Sequence, residues 1–308
     1  MEPPANSLCL VVLLFAGAIV ALEVPGADAE QSESQRPLAV DRRIKMMPKL
    51  SVIVITLNEE ACIERCLRSV DFADEIVVVD NGSTDRTREI AVEMGAKVHV
   101  TEDWPGFGIQ KGRALAAATG DWVLSLDADE WVDATLAEQI KSAIADPQGC
   151  AGFEIPRRSR FCGRVVRYGS WSADRVLRLF RRDAGRFTDY RVHEKVVLRG
   201  KMSRLTCPLE HDCITDLSDA HHKIQMYSEA SSRHIESIGK RGSTTKALLH
   251  SSWAYFYSYV IRFGVLDGSV GLLVAGYCAS YTYSKWASTP SSGCATATIR
   301  ETRAIKMN

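Results

Sequence analysis

The chain has 308 residues, of which 46% are hydrophobic and 25% are charged, and its 38 basic and 38 acidic side chains give a formal net charge of zero. This is ordinary globular composition, with ample length for one large domain or one domain plus an appendage. The balanced charge excludes a strongly basic protein of the kind that binds nucleic acid, so we expect no nucleic-acid partner.

The first 45 residues differ from the rest of the chain. Residues 8–22 form an apolar stretch of signal-peptide length, followed by "ADAE". The residues before this stretch include a glutamate but no lysine or arginine, and fifteen residues are short for a membrane span. Residues 23–45 are polar and rich in Pro, Gln and Ser, which is typical of a linker. We interpret residues 1–45 as a signal-like or spurious extension outside the folded unit; a true export signal is the alternative.

From residue 50 onward, strand-like and helix-like segments alternate. The run "LSVIVITL" (50–57) is continuously apolar and β-branched, which predicts a strand buried on both faces. Asn58 is a candidate cap for a helix over 59–70, and Gly120 is a candidate cap at the end of a helix that begins near 108. Further strands are predicted at 75–80, 97–101 and 121–127, and further helices at about 84–94 and 133–145. Four β–α units within about 100 residues indicate an α/β fold with a parallel sheet covered by helices.

After residue 150 this alternation stops. The segments "GFEIPR", "RVLRLFRR" and "HEKVVLR" predict strands without long helices between them, and 219–239 predicts an amphipathic helix. Residues 246–285 are apolar and aromatic but are interrupted by Arg262 and "LDGSVG", so they predict an interfacial or packed helix pair, not a membrane span. We therefore divide the chain into a catalytic domain (46–215), a C-terminal helical region that associates with a membrane (216–287) and a loose tail (288–308).

Acidic and polar clusters follow three of the predicted strands. They are "TLNEE", "VDNGSTD" and "LDADE", and the carboxyl ends of parallel strands are where open α/β sheets bind ligands. The chain has no G-x-G-x-x-G after the first strand and no G-x-x-x-x-G-K-[ST], so the usual dinucleotide and P-loop sites are excluded. A nucleotide held by carboxylates, backbone groups and a metal ion is the remaining interpretation.

The acids of "LDADE" suggest a cation site. Two carboxylates two residues apart repel each other unless something positive lies between them, although a solvated turn after a strand is the simpler explanation. Asp129, with Asp127 nearby, could hold Mg²⁺ or Mn²⁺, since both prefer oxygen ligands. Such a cation would stabilise a diphosphate as a leaving group. Asp80, at the end of the second strand, could accept a hydrogen bond from the imide N–H of a uracil.

The motifs "LSVIVITLNEE", "EIVVVDNGSTDRT" and "LSLDADE", in this order and at these spacings, resemble those of family-two glycosyltransferases with the GT-A fold. The resemblance covers about 49–285. The segments "WPGFGIQKGRAL", "GSWSADRVLRLFRR", "RVHEKVV" and "YVIRFGVLDGSVGL" resemble a narrower branch, the lipopolysaccharide inner-core β-glucosyltransferases. That resemblance implies transfer of glucose from UDP-glucose to a core heptose, with inversion at the anomeric carbon, at the cytoplasmic face of a bacterial inner membrane.

The resemblance also implies roles for individual residues. The donor-side positions are Thr56, Asn58 and Glu59 for the uridine pocket, Asp80 for the base, Gln110 and Lys111 for the donor, and Asp127 and Asp129 for the metal and the ribose-diphosphate. His193 or His211 could complete the metal shell. Arg178, Arg181 and Arg182 could neutralise phosphates on the donor or on a lipopolysaccharide acceptor.

The general base is harder to identify, because the family's usual acid–aspartate motif before a helix is absent. The segment "DYRVHEK" stands in its region, which makes Glu194 the first candidate and Asp189 the second. Two rival functions remain open. A sugar nucleotidyltransferase would need a G-x-G-x-R loop where "TLNEE" stands. A non-catalytic exported protein could keep the same fold.

Overall fold

A computed structural model describes residues 47–172, 174–188 and 194–290. The chain divides into two compact units, Met1–Lys45 and Met46–Asn308, and the described residues belong to the second. The extension over 1–45 and the tail beyond 290 therefore lie outside the described residues, and the interpretations made for them stay predictions.

The first half of the second unit alternates strands with helices, as predicted. Its elements are β1 (Leu50–Thr56), α1 (Ile63–Arg68), β2 (Glu75–Asp80), α2 (Thr87–Glu93), β3 (Lys97–Val100), α3 (Phe107–Ala117), β4 (Trp122–Asp127), β5 (Glu130–Trp131) and α4 (Ala134–Ala145). β1 pairs in parallel with β2 and with β4, and β2 pairs in parallel with β3. The α/β class and the parallel sheet of the first half are confirmed, and the carboxyl ends of the four strands meet at one rim.

The second half extends the sheet mainly through longer-range pairing. Its strands are β6 (Cys150–Phe161), β7 (Arg164–Val165), β8 (Arg175–Arg181), β9 (Gly185–Phe187), β10 (Val196–Leu198), β11 (Lys201–Arg204) and β12 (Leu209–Ile214). β8 lies between β4 and β6 and is antiparallel to both, while β12 runs parallel to β6 and antiparallel to β5. The predicted strands correspond to β6, β8 and β10, whereas β5, β7, β9, β11 and β12 were not predicted.

Three α-helices and two short helical segments form the C-terminal region. They are α5 (Leu217–Ser237), α6 (Thr244–Phe256), a π-helix (Tyr257–Ile261), a 3₁₀ helix (Gly264–Asp267) and α7 (Ser269–Ala287). The predicted amphipathic helix and the predicted helix pair are confirmed. Within the described ranges, no helix combines the length and the apolar character that crossing a bilayer requires.

Both faces of the parallel sheet are buried, as a continuous apolar run predicts. On one face Val52, Val54 and Leu124 pack under α1 and α4. On the other, Ile53 and Val77 belong to the cluster that includes residues of α3 and of the β9–β10 pair. A third cluster joins the end of β6 and β12 to α5 and α7, and its buried members are Phe161, Val166, Ile214, Ala220, Val270 and Val274.

Two predicted helix caps are wrong. Asn58 has a left-handed backbone (φ 56°), and the helix after it begins only at Ile63 with Cys62 at the N-cap. At the other site, α3 ends at Ala117 and Ala118 is already extended, so Gly120 lies beyond the helix. A side chain at Gly120 would place its Cβ 2.8 Å from the backbone nitrogen of Ser51, so the glycine permits close packing of two chain segments.

A chain that begins at Met47 is expected to melt at the same temperature as the full chain and to keep the same activity. The reason is that Met46–Asn308 is a compact unit by itself and that its first strand begins at Leu50. Thermal melts and transfer assays on the two chains make the comparison. A melting temperature several degrees lower for the shorter chain would show that residues 1–46 contribute to the folded unit.

Candidate active site

Asp80 organises the rim at the end of β2. Its carboxylate is fully buried and accepts hydrogen bonds from the Thr56 hydroxyl (3.0 Å), the backbone N–H groups of Gly82 (3.0 Å) and Ser83 (2.9 Å), and the Ser83 hydroxyl. The parallel register places Thr56 directly beside Asp80. Thr56 and Asp80 therefore lie together at the rim, as predicted, and Asp80 fixes the turn that follows β2.

The loops after β1 and β2 are bonded to each other. The Asn58 side chain accepts a hydrogen bond from the Thr84 N–H (2.8 Å), and the Asn58 N–H donates to the Ser83 hydroxyl (2.8 Å). The Glu59 N–H donates to the Thr87 hydroxyl (2.7 Å), and burial raises the pKa of the Glu59 carboxyl. Asn58 and Glu59 thus belong to the same rim as Asp80, in a crossing of two loops rather than in a helix cap.

A buried network of alternating charges lies at the end of β4. Lys111 places its ammonium 2.7 Å from Asp127 Oδ1 and 2.6 Å from Glu194 Oε1. The Arg178 guanidinium binds the other carboxylate oxygen of Asp127 and also Glu130 Oε1 at 2.7 Å. Helix α3 supplies Lys111, β8 supplies Arg178, and Glu194 comes from the connection between β9 and β10. Segments far apart in sequence therefore meet at the two acids of β4 and β5.

The charges of this network hold Asp127 ionised. Burial alone would raise the pKa of the Asp127 carboxyl, but Arg178 and Lys111 hold that pKa well below its usual value. Burial would lower the pKa of Arg178, and the carboxylates of Asp127 and Glu130 raise it instead. Since both oxygens of Asp127 are bound by cations, the structure uses Asp127 as the anchor of Lys111 and Arg178.

Asp129 lies in the turn between β4 and β5, not on the strand, and faces a different group of side chains. Its Oδ2 is 3.6 Å from His211 Nε2 and 3.9 Å from the ammonium of Lys223. The other ring nitrogen of His211 is hydrogen-bonded to the Ser159 hydroxyl (3.2 Å), which orients the imidazole. Burial would lower the pKa of Lys223, but Asp129 and Asp219 raise it. The structure therefore brings Asp129 and His211 together, and adds Lys223.

The side chains around Asp129 fit a divalent cation only in part. Among the residues that the structure describes, no group of three or more His, Cys, Asp and Glu side chains could hold a metal ion by themselves. Asp129 and His211 offer one oxygen and one nitrogen ligand, which suits Mn²⁺ or Mg²⁺ when substrate oxygens supply the rest. Asp127 fits less well, because Lys111 and Arg178 already bind both of its oxygens.

Several predicted residues are placed elsewhere. Gln110 has no exposed surface, and its amide binds the hydroxyl of Thr101 and the guanidinium of Arg113, so the geometry does not support donor contact. Arg181 lies opposite Trp122 at the start of β4, at the end of the sheet remote from Asp127, and pairs with Asp183 (3.0 Å). Arg182 donates to the Gly120 carbonyl (2.8 Å) at that same end. Of the three arginines, only Arg178 reaches the site. Asp189 and His193 lie outside the described residues.

Three residues of the site were missed from the sequence. Glu130 is buried, accepts the Asp127 N–H (3.0 Å) and binds Arg178, so it holds the turn between β4 and β5 closed. Arg157 lies 3.4 Å from Glu130 Oε1 and also pairs with Asp174. The quoted motif "LDADE" contained Glu130, but nothing in it distinguished a buried structural acid from a solvated one. Lys223 and Arg157 do not belong to any of the site motifs recognised in the sequence.

Comparison with known proteins assigns this arrangement to a family. Residues 51–203 match the family model described as glycosyl transferase family 2. The lipopolysaccharide core biosynthesis glycosyltransferase LpsC of Rhizobium meliloti (strain 1021) is 31% identical over 252 residues, which are 78% of this chain and 93% of that one. A glycosyltransferase of Rickettsia typhi is 29% identical over 247 residues, 75% of this chain and 84% of that one.

A solved structure matches a smaller part of the chain. It is glucosyl-3-phosphoglycerate synthase from Mycobacterium tuberculosis, crystallised with Mn²⁺, UDP and glucosyl-3-phosphoglycerate. The two chains are 32% identical where they align, the match covers 38% of this chain and 45% of that one, and the TM-score is 0.31.

Proposed function

Because the chain belongs to glycosyl transferase family 2 and has the GT-A fold of that family, we propose that it transfers a hexose, with glucose as the first candidate, from a UDP-sugar to a heptose of the lipopolysaccharide core or a similar glycolipid. The observation that carries this proposal is the similarity to LpsC along nearly all of that protein's length. The rim built by Thr56, Asp80 and Asp127 at the ends of three parallel strands supports a nucleotide-sugar site there.

In the proposed complex, the uridine lies at the crossing of the loops after β1 and β2. Asp80 and Thr56 fix the floor of this crossing, and Asn58 and Glu59 form its edge. The diphosphate lies toward the end of β4, where Lys111 and Arg178 carry positive charge on the side of Asp127 and Lys223 carries it on the side of Asp129. These three cations would neutralise charge that develops on the departing UDP.

Asp129 and His211 are the residues that would hold Mn²⁺ or Mg²⁺. Once bound, the cation would supply positive charge next to the diphosphate and so lower the cost of its departure. The chain's own part in this is to present a carboxylate and an imidazole on the same side of the β4–β5 turn. The Ser159 hydroxyl and the β12–β5 pairing hold His211 in that orientation.

Glu194 is the proposed general base. The acceptor hydroxyl gives its proton to the Glu194 carboxylate while its oxygen bonds to the anomeric carbon from the face opposite UDP, so the configuration inverts and UDP leaves with the electron pair of the broken bond. The ammonium of Lys111, 2.6 Å from Glu194 Oε1, orients that carboxylate. Asp127 holds Lys111 from the other side, which ties the base to the donor end of the site.

We further propose that the reaction takes place at the cytoplasmic face of a bacterial inner membrane. In the described part of the chain, the seven cysteines are free thiols, which suits a reducing compartment. Family membership argues against the nucleotidyltransferase reading. The exported, non-catalytic alternative predicts a cleaved N-terminus in the mature protein, and sequencing that terminus distinguishes the two.

A panel of donors and acceptors tests the proposed reaction. We expect the highest kcat/KM with UDP-glucose and a lipopolysaccharide core truncated to its heptose, and a value at least about tenfold lower for GDP-sugars, because the proposed site at the loops after β1 and β2 would have to accept a purine in place of the smaller uracil. The control is the same panel without acceptor, in which only slow hydrolysis of the donor should occur. Preference for a GDP-sugar, or transfer that is indifferent to the acceptor, would overturn the proposal.

A further inference from the structure

An unusually apolar surface covers the hairpin formed by α6, the π-helix, the 3₁₀ helix and α7, which we call the C-terminal hairpin (residues 244–287). Its most exposed apolar side chains are those of Leu248, Leu249, Trp253, Phe263, Val265 and Leu266. Among the residues of α6, only Ala247 is buried, although one side of the helix packs against α7. A contiguous exposed apolar surface on a folded protein indicates a binding surface.

The bend between the two long helices (residues 261–266), which we call the tip, carries four exposed apolar side chains, those of Ile261, Phe263, Val265 and Leu266. Phe263 has a left-handed backbone (φ 59°) and is 61% exposed, and Leu266 is 63% exposed. A bulky aromatic residue rarely adopts this backbone conformation, and such strained positions cluster where a protein binds something. Packing within the fold does not compensate for this strain, because Phe263 is mostly exposed.

The charges around the tip are positive. From residue 240 to 290 the sequence has five basic residues (240, 241, 246, 262 and 285) and one acidic residue, Asp267. The Asp267 carboxylate is engaged, since it accepts the N–H groups of Arg167 (2.9 Å) and Tyr168 (2.8 Å). Arg164 also contacts the hairpin, through the Ser269 hydroxyl (3.2 Å), so basic residues outnumber the single acid in and beside the hairpin.

We propose that the C-terminal hairpin is the surface by which this protein docks on an anionic lipid bilayer, with Phe263 and Leu266 of the tip entering the interfacial layer. Aromatic and aliphatic side chains flanked by arginine and lysine are the composition that favours the headgroup region. No described helix is able to span a bilayer, so the surface lies on the membrane and does not cross it. The charge surplus selects an anionic bilayer over a neutral one.

Docking in this way would bring a lipid-linked acceptor to the enzyme. The tip is bonded to the strand connection after β7, because the Gly169 N–H donates to the Arg262 carbonyl (2.8 Å). The same connection borders an open cleft of about 400 Å³ whose lining includes Arg157, a neighbour of Glu130 in the active site. This inference goes beyond the proposed transfer reaction, because vesicle binding can be measured without donor or acceptor.

Co-sedimentation of the full chain with vesicles tests the inference. The tip variant is Phe263→Asn/Leu266→Asn; asparagine tolerates the left-handed backbone at 263, so this variant should fold. The matched control is Val92→Asn/Met202→Thr, which removes two exposed apolar side chains outside the hairpin. Because parent and variants share residues 1–45, the differences between them report on the substituted positions alone.

On vesicles of phosphatidylcholine with phosphatidylglycerol, the tip variant should bind at least about tenfold more weakly than the parent, and the control should bind like the parent. Arg262→Gln should weaken binding about fivefold on these vesicles and leave the weak binding to pure phosphatidylcholine unchanged. Transfer to a soluble, lipid-free acceptor should be the same for parent and tip variant, so a failed inference is separable from a failed reaction.

Undiminished vesicle binding by the tip variant would overturn the inference, as would equal binding of the parent to neutral and anionic vesicles. Analytical ultracentrifugation provides a further check. If the parent self-associates, the tip variant does not, and neither binds vesicles, the hairpin is an interface between copies of this chain and the lipid assignment is wrong.

Discussion

Asp129→Ala is expected to reduce transfer about a thousandfold or more, and removal of divalent cations with EDTA should have the same effect on the parent protein. The reason is that Asp129 is held less tightly by cations than Asp127 or Glu130, since the nearest ammonium or guanidinium nitrogen among the described residues is that of Lys223 at 3.9 Å. It lies 3.6 Å from His211 Nε2 and 3.9 Å from Lys223, whereas Asp127 is bound on both oxygens. Activity lost in EDTA should return with Mn²⁺ or Mg²⁺.

Calorimetry with UDP and Mn²⁺ separates loss of metal binding from loss of folding. The parent should bind UDP more tightly with Mn²⁺ present, and Asp129→Ala should lose this difference while keeping its melting temperature. Asp183→Ala is the matched control, because Asp183 is an exposed acid paired with Arg181 at the opposite end of β4. Full activity of the parent in EDTA would show that the enzyme works without a metal ion.

Glu194→Gln is expected to lower kcat by about 10²–10⁴-fold and to leave UDP-sugar binding nearly unchanged. Glutamine keeps the size of the side chain and an oxygen that can accept from Lys111, so the network around Asp127 should persist. It cannot accept a proton from the acceptor hydroxyl at neutral pH. The measurements are steady-state kinetics for kcat and calorimetry for donor affinity.

Glu154→Gln is the control for Glu194, since Glu154 is also a partly buried acid paired with one cation, Arg204 (3.1 Å), away from the rim. It should change kcat little. Asp189→Asn, the second candidate, should cost less than Glu194→Gln. If Glu194→Gln turns over normally and Asp189→Asn is inactive, the base is Asp189. If both remain active, the base lies outside the segment "DYRVHEK".

The parallel half of the fold was predictable because each of its strands and helices is indicated by a short, continuous stretch of the sequence. The run of Ile and Val residues in β1 has no polar interruption, and a strand with no polar side can only lie in the middle of a sheet covered on both faces. Polar residues at the ends of such strands must then meet at one rim, and Thr56, Asp80 and Asp127 do so. The buried parallel strands and the shared rim follow from the hydrophobic pattern, whereas the order of the strands in the sheet was not predicted.

The remainder depended on register, which a single sequence does not display. The sequence "RVLRLFRR" gives no reason to distinguish Arg178 from Arg181. Antiparallel pairing of β8 with β4 places Arg181 opposite Trp122 and Arg178 further along β8, next to Asp127. His211 entered the site through the pairing of β12 with β5, two short strands about 80 residues apart. Gln110 and Lys111 are adjacent on α3. The Gln110 side chain is buried and bonds to Thr101, whereas the Lys111 ammonium pairs with two carboxylates of the site.

The insertion of β12 beside β6 and β5 sets the order in which the protein can become functional during synthesis. β5 ends at Trp131, but β12, its one strand partner in the described part of the chain, begins at Leu209, so the ribosome must make the intervening residues before that pairing can form. Long-range pairing of this kind slows folding and leaves partly folded chains exposed. The nascent chain can pair β1, β2 and β4 early, but it cannot bring His211 and Lys223 to Asp129 until α5 has emerged. A ribosome-bound chain that stops near residue 203 would therefore carry the proposed nucleotide site without the proposed cation site.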